Sequence, residues 1–266
     1  MSRLLIRNLS SELIKNEEVA LGIRRLTLSL DGDLYSCAPG RFVMVRASSS
    51  LDPLLGRAFS VHDYAAQRLS ILYRVAGRGT EWISRRKPGE RLNLTGPLGT
   101  GFDVTSPVRK AVLIAGGVGV APFRFLARTL RDRGVKVILF YGARTAAELV
   151  PLDEFAASGM TVLTATDDGS LGEPGTVTEL FREHLRKTSP SESVKVYACG
   201  PRPMLLEVAR MTRGAGIDCE VSLESVMACG LGTCMGCVIR TTGGYRRVCR
   251  EGPVFDAGEL LLHDIR

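Results

Sequence analysis

AVLIAGGVGVAP, residues 111–122, decides the fold, because an apolar run passes directly into a glycine-rich turn. A helical pattern then extends to about Arg133. This order predicts a buried strand followed by a turn whose backbone N–H groups, with the next helix, favour a phosphate. The turn is not a spaced G-x-G-x-x-G, so ordinary strand-to-helix packing is the competing interpretation.

The alternation of strand and helix continues beyond this turn. Further apolar strands are predicted at 135–141, 161–165 and 194–198, with helical segments near 146–157, 176–187 and 202–215. Such alternation predicts a parallel sheet that binds ligands at the carboxyl ends of its strands.

The first hundred residues follow a different pattern. Short alternating apolar stretches, such as 41–45 and 69–75, are separated by Gly, Pro and Asp turns, which predicts a small antiparallel β-barrel. The chain therefore divides into a predicted barrel at 1–100, an α/β nucleotide-binding domain at 101–218 and a C-terminal module at 219–266. The module is rich in Cys and Gly and too short for an ordinary core, which indicates an inorganic centre.

Four cysteines in that module have the spacing of a metal site. Cys229, Cys234 and Cys237 form a C-x4-C-x2-C run, and Cys249 follows 12 positions later. The run matches the plant-type [2Fe–2S] ligand pattern, and the glycines between the cysteines let a loop curl around a cluster. A zinc site and four free cysteines are the alternatives.

Composition excludes several other functions. The net charge is +7, but the 35 Lys and Arg residues are scattered, so anionic cofactors are better expected partners than nucleic acid. The longest uncharged apolar run, 111–123, is 13 residues, which is short of the roughly 20 needed to span a membrane. The N-terminal sequence lacks a secretory pattern, so a cytoplasmic location is expected.

Two short motifs in the first hundred residues suit a flavin nucleotide. Arg57-Ala58-Phe59-Ser60 ends one predicted strand, and Gly77-Arg78-Gly79-Thr80 follows another. A pyrophosphate favours an arginine fork and glycine-loop N–H groups, and a flavin N5 favours a hydroxyl or backbone donor. Either motif alone is weak, and an edge strand with an extended arginine is the competing interpretation.

Two further motifs follow strands of the second half. Cys199-Gly200-Pro201-Arg202-Pro203-Met204 repeats the strand-turn-helix arrangement, although Cys199 taken alone is better interpreted as a small buried apolar residue. Thr166-Asp167-Asp168-Gly169 also follows a strand, and by itself it is consistent with a solvated acidic turn.

Four of these motifs resemble the ferredoxin reductase superfamily in their order along the chain: Arg-x-Phe-Ser at 57–60, Gly-x-Gly-Thr at 77–80, Gly-Gly-x-Gly-x-x-Pro at 116–122 and Cys-Gly-Pro-x-x-Met at 199–204. With the cysteine run and the preceding Glu224-Ser225, the whole chain resembles the electron-transfer subunits of class 1B dihydroorotate dehydrogenases. The resemblance implies FAD, NAD and a [2Fe–2S] cluster as cofactors, with Cys229, Cys234, Cys237 and Cys249 as the iron ligands.

The resemblance also implies roles for individual residues. Ser60 would lie near the flavin N5 and Cys199 near the hydride path, as the two catalytic residues. The FAD-binding residues would be Arg57, Ala58, Phe59, Ser60, Tyr73, Arg74, Val75, Gly79 and Thr80. The nicotinamide nucleotide would be held by Gly116, Gly117, Gly119, Pro122, Asp167, Asp168, Cys199, Gly200, Pro201 and Met204.

The implied partner is an FMN-containing dihydroorotate dehydrogenase catalytic subunit, with two copies of each subunit in the complex. Electrons would run from dihydroorotate through FMN, the cluster and FAD to NAD, in pyrimidine biosynthesis. Asp167 and Asp168 predict a preference for NAD over NADP. The alternatives are a homologous reductase subunit of an NAD(P)-linked hydrogenase or transhydrogenase, and a non-enzymatic zinc adaptor. His62, His184 and His263 are isolated and expected to be structural or surface residues.

Overall fold

The computed structural model describes residues 6–46, 52–157, 159–187 and 193–261. The strands are β1 (Arg7–Ala20), β2 (Ile23–Leu30), β3 (Phe42–Arg46), β4 (Arg57–Ser60), β5 (Asp63–Ala65), β6 (Arg68–Arg74), β7 (Arg91–Leu98), β8 (Lys110–Gly116), β9 (Lys136–Ala143), β10 (Thr161–Thr166), β11 (Glu173–Pro174), β12 (Val194–Cys199), β13 (Asp218–Ser222), β14 (Val238–Thr241), β15 (Gly244–Arg247) and β16 (Val254–Asp256). The helices are α1 (Arg78–Ser84), α2 (Phe123–Arg131), α3 (Asp153–Ala156), α4 (Val177–Lys187) and α5 (Arg202–Ala215), with 3-10 helices at Gly117–Val120 and Ala146–Glu148.

The N-terminal sheet is antiparallel and has the order β4-β3-β7-β1-β2-β6-β5. Phe59 on the edge strand β4, Ile71 on β6 and Leu94 on β7 all belong to one buried cluster. Because strands from both halves of the sheet supply the same core, the sheet must curl around it. The predicted antiparallel β-structure of the N-terminal part is confirmed.

The second sheet is doubly wound, with the order β11-β10-β9-β8-β12-β13-β16. All its pairs are parallel except β13 with β16. On β8, Val112 and Ile114 face one apolar cluster, and Leu113 faces the other. Side chains alternate in this way because successive residues of a strand point to opposite faces, so helices must cover both. The predicted α/β fold class is confirmed.

The C-terminal segment is attached to this second sheet. β13 begins at Asp218, and β16 pairs with it through Val221 and Phe255. Between them, β14 and β15 form a two-stranded hairpin. The predicted domain limits at 218 and 219 therefore fall where β13 enters the sheet, and those limits stay a prediction.

Polar contacts fix the two sheets relative to each other. The Phe125 N–H donates to the carbonyl of His62 at 3.1 Å, and Nδ1 of His62 lies 2.7 Å from the carbonyl of Ala121. Arg25 forms a salt bridge with Glu154 at 2.7 Å. His62 is buried within this junction, in agreement with a structural role.

Of the other two histidines, the structure describes His184. His184 packs at 5.0 Å against the ring of Phe140, and burial lowers its pKa. His263 lies outside the described residues. No helix in the described part of the chain is long and apolar enough to cross a membrane.

Candidate functional site

A cavity of about 250 Å³ lies where the two sheets meet, and it is named the flavin cavity after the ligand predicted for Ala58, Phe59 and Ser60, which line it. Its walls come from β4, the end of β6, the glycine turn after β8 and the segment after β13. The lining residues are Phe42, Ala58, Phe59, Ser60, Leu72, Tyr73, Arg74, Val118, Ala121, Pro122, Cys199, Leu223, Glu224, Ser225, Met227 and Pro253. The cavity thus brings together Ser60 and Cys199, the two residues predicted to be catalytic.

The aromatic wall of this cavity is held rigidly. The rings of Phe59 and Tyr73 lie 5.5 Å apart, and the Tyr73 hydroxyl donates to Oδ1 of Asn16 at 3.0 Å. Burial raises the pKa of Tyr73, so the phenol stays neutral. Such a wall suits a flat ring such as a flavin. Val75 instead packs against the N-terminal core.

The predicted phosphate-binding residues also converge. A Cβ at Gly79 would lie 2.2 Å from Nε of Arg57, so the arginine occupies the space left by the missing side chain. Arg57 and the Gly77–Thr80 turn can therefore face one anion. The Thr80 hydroxyl accepts the N–H groups of Ala76 and Gly77 at 2.9 and 3.1 Å, so it shapes the turn.

A second, wider cleft of about 640 Å³ opens at the carboxyl ends of β8, β9 and β10. This is where a parallel sheet binds nucleotides. The lining residues are Arg74, Gly116, Gly117, Gly142, Ala143, Arg144, Glu148, Asp167, Thr176, Val177, Thr178, Pro201, Pro203 and Met204. Pro122, predicted for the nucleotide, lines the flavin cavity instead.

The glycine turn and the Cys199–Met204 turn pack without room for side chains. A Cβ at Gly116 would lie 2.6 Å from Cδ of Pro201. A Cβ at Gly119 would lie 2.3 Å from the carbonyl oxygen of Cys199 and 2.7 Å from Cα of Gly200. The two turns therefore form one surface, and this close approach explains the glycine at 119.

The two aspartates after β10 differ in position. Asp167 lines the nucleotide cleft. Asp168 accepts hydrogen bonds from the N–H and the hydroxyl of Ser170 at 3.0 and 2.6 Å, so it stabilises its own turn. Of the pair, Asp167 has the better position to meet a ribose.

Cys199 lies at the base of the flavin cavity and is buried. Burial raises the pKa of its thiol, and the nearby charge of Glu224 raises it further. A neutral thiol here is a poor nucleophile, so its role would be contact with a ligand and exclusion of water.

The four predicted iron ligands form two close pairs. Burial tends to raise the pKa of Cys229, but hydrogen bonds from the backbone and thiol of Cys234, and from backbone N–H groups of Leu231 and Thr233, lower it to about 6. The N–H of Leu231 lies 3.4 Å from this sulfur. The backbone N–H of Cys249 lies 3.4 Å from Sγ of Cys237, because the β14–β15 hairpin brings them together. Two pairs, with N–H donors directed at sulfur, fit a cluster of two irons.

The cysteine loop is anchored by an arginine. Nη1 of Arg247 donates to the carbonyl of Gly232 at 2.9 Å, and its Nε donates to Glu251 at 3.0 Å. Arg247 thus ties the loop to the end of β15. Among the described residues, no three His, Cys, Asp or Glu side chains converge on a point that would hold a single metal ion.

Several lining residues lie outside the sequence-based predictions. Leu223 and Met227 line the flavin cavity and were not predicted. Glu224 and Ser225 also line it, and the sequence drew attention to them only through the family resemblance. In the nucleotide cleft, Glu148 and the Thr176–Thr178 segment were missed. The signal available for Glu148 was its position shortly after the predicted strand at 135–141, at the edge of the sheet that binds ligands. No strand was predicted directly before 176–178, so the sequence offered no such signal there.

The fold and these sites define a class: an oxidoreductase subunit with a ferredoxin-reductase-like fold that uses FAD, NAD and a [2Fe–2S] cluster. A family model for the oxidoreductase NAD-binding domain matches residues 113–210. The model for the iron–sulfur cluster binding domain of dihydroorotate dehydrogenase B matches residues 224–261, which supports the cluster over a zinc site. The chain belongs to the family of electron transfer subunits of dihydroorotate dehydrogenase B (NAD(+)).

Individual proteins of known family support the assignment of this chain to these electron transfer subunits. The electron transfer subunit of Desulforamulus reducens is 40% identical over 231 residues, which cover 84% of this chain and 86% of that protein. The subunit of Clostridium acetobutylicum is 37% identical, with 94% and 96% covered. Among solved structures, a NADH-dependent reduced ferredoxin-NADP oxidoreductase superposes with a TM-score of 0.85 at 25% identity, covering 96% of this chain and 91% of that chain.

Proposed function

We propose that this chain passes electrons from a dihydroorotate-oxidising, FMN-containing catalytic subunit to NAD. The observation that carries the proposal is that the three sites adjoin one another. Arg74 lines both the flavin cavity and the nucleotide cleft, and Met227, which lines the flavin cavity, lies two residues before Cys229. FAD, when bound, supplies the exchange between the two electrons of a hydride and the single electrons of an iron–sulfur cluster.

The residues of this chain would hold and orient these groups. Ser60 would offer its hydroxyl to the flavin ring, and Arg57 would face the FAD phosphates. Gly116 and Gly117 would admit the nucleotide to the carboxyl edge of the second sheet. Cys199 would exclude water between the flavin and the nucleotide. The four-cysteine loop would hold the cluster close to the surface, where Cys234 is exposed.

The partner would dock on the surface around the cysteine loop. Large apolar side chains in or beside this loop are exposed: Val226 (90%), Leu231 (42%), Met235 (55%) and Tyr245 (75%). Exposed apolar groups in one region of a chain are typical of protein interfaces. We propose a complex with two copies of each subunit, in the cytoplasm, where reducing conditions keep the cysteine ligands reduced.

The first prediction concerns the native complex. Purified from its own cell, the chain should bring with it an FMN-containing partner and carry about one FAD and two irons. The complex should reduce NAD with dihydroorotate, while the chain alone should oxidise NADH with a two-electron dye. Metal analysis, flavin extraction and mass spectrometry of the partner test this. Zinc without iron would contradict it.

A second candidate function is the reductase subunit of an NAD(P)-linked hydrogenase or transhydrogenase. It is favoured by the near full-length superposition on the NADH-dependent reduced ferredoxin-NADP oxidoreductase. The same purification separates the two, because that function would bring a different partner and no NAD reduction with dihydroorotate.

A further inference from the structure

The nucleotide cleft contains an arginine with the Nε–Nη2 edge of its guanidinium already occupied. Arg144 follows β9, and Glu148 ends the 3-10 helix four residues later. Nε of Arg144 donates to Oε2 of Glu148 at 3.2 Å, and Nη2 donates to Oε1. The two side chains form a bidentate pair, which is the geometry in which arginine also binds phosphate.

The two partners differ in exposure. The Glu148 side chain is 8% exposed, whereas that of Arg144 is 73% exposed. The hydrogen bond with Arg144 lowers the pKa of Glu148, so the carboxylate is charged at neutral pH. Arg144 therefore extends into the cleft, and the Glu148 carboxylate in the cleft wall neutralises its charge. Asp167 adds a second negative charge beside Arg144.

The surrounding turn fixes this pair in place. The N–H of Ala146 donates to Oγ of Ser170 at 2.8 Å, and Oγ of Ser170 donates to Asp168 at 2.6 Å. These contacts tie the segment after β9 to the segment after β10. The backbone that carries Glu148 is consequently tied to both turns, and Arg144 is the side chain hydrogen-bonded to its carboxylate.

We propose that Glu148 determines nucleotide specificity by occupying Arg144, so that the cleft accepts NAD(H) and rejects the 2′-phosphate of NADP(H). This inference rests on the proposed function, because it assumes that the cleft binds a pyridine nucleotide. A 2′-phosphate would find the Nε–Nη2 edge of Arg144 taken, and it would meet two carboxylates, which repel it. Without the Glu148 carboxylate, Arg144 becomes the phosphate ligand.

The test uses the FAD- and cluster-loaded chain and the variant Glu148→Gln. The NADPH-to-NADH ratio of kcat/KM in dye reduction should rise by about ten- to hundredfold, the range for a gained hydrogen bond to a charged group. The gain should be in KM for NADPH. Calorimetry should show 2′,5′-ADP binding more tightly than 5′-AMP to the variant, the reverse of the parent.

Matched variants separate this role from a structural one. Glu183→Gln makes the same change in an exposed pair with Lys187 on α4, outside the cleft, and should leave the ratio unchanged. Adding Arg144→Ala to Glu148→Gln should abolish the gain. Glu148→Met removes the carboxylate differently and should reproduce the shift if the Gln variant folds poorly.

The outcomes separate failure of this inference from failure of the proposed function. A parent chain that does not oxidise NADH would overturn the nucleotide site itself. A parent that oxidises NADH, with folded Glu148 variants that keep its nucleotide ratio and gain no affinity for 2′,5′-ADP, would overturn the role of Glu148. A gain that survives Arg144→Ala would also overturn it.

Discussion

Cys234→Ser should abolish the iron–sulfur cluster and leave a folded protein that still oxidises NADH with a two-electron dye. Serine replaces a soft thiolate with a weakly acidic hydroxyl, so iron should be lost or poorly held. Cys234 is exposed, so the substitution removes little packing. In the native complex, dihydroorotate-dependent NAD reduction should fall by at least about a hundredfold, because losing a ligand should cost more than losing an outer-shell partner, which costs about 10- to 100-fold.

The flavin should remain bound in this variant. Residues 223–225, which line its cavity, directly follow β13 and are therefore fixed by the second sheet rather than by the cluster. Iron content, the visible and electron paramagnetic resonance spectra of the cluster, and FAD content are the measurements. A complex that still transfers electrons from dihydroorotate to NAD at the parent rate would show that the cluster is not the conduit.

The matched control is Cys37→Ser. Cys37 lies between β2 and β3, and burial raises its pKa to about 12, so its thiol is inert. This variant should keep its iron, its flavin and its full rate. Loss of iron there would mean that the substitution acts through folding and not through ligation.

The parts of the protein that could be predicted from the sequence depend on local patterns. The spacing of Cys229, Cys234 and Cys237 requires only a short loop, and the apolar run into Gly116 identifies a strand and its turn without any distant contact. The spacing of apolar residues that indicates a strand or a helix is likewise read from neighbouring residues. The fold class and the cluster could therefore be predicted from the order of the residues alone.

The missed features depend on contacts between distant segments. β16 has three residues, too few to show an alternating pattern, and it becomes a strand only because β13 offers it a free edge. Glu148 enters the cleft wall because the turns after β9 and β10 are tied together. Such positions are set by tertiary structure, which local propensity does not encode.

The glycine at 119 gives the last prediction: Gly119→Ala should destabilise the protein and weaken nucleotide binding. The added Cβ would lie 2.3 Å from the carbonyl oxygen of Cys199 and 2.6 Å from its carbonyl carbon. Both atoms belong to the backbone, so no side-chain rotation relieves the clash. We expect a loss of about 1–3 kcal/mol in the free energy of unfolding, as for overpacked cores.

The same clash must separate the two turns that form the nucleotide surface. KM for NADH should therefore rise, while FAD content stays near one per chain, because Arg57 on β4 and Gly79 on α1, which would face the FAD phosphates, belong to the N-terminal part. Thermal unfolding and dye-reduction kinetics measure the two effects.

The control is Gly214→Ala, within α5, where a Cβ would meet nothing within 4 Å. At Gly214, alanine should raise the free energy of unfolding by about 0.5–1 kcal/mol, because alanine is favoured over glycine in a helix. The same substitution should therefore change stability in opposite directions at Gly119 and Gly214. Equal effects at both positions would mean that the close approach of the two turns does not exist in solution.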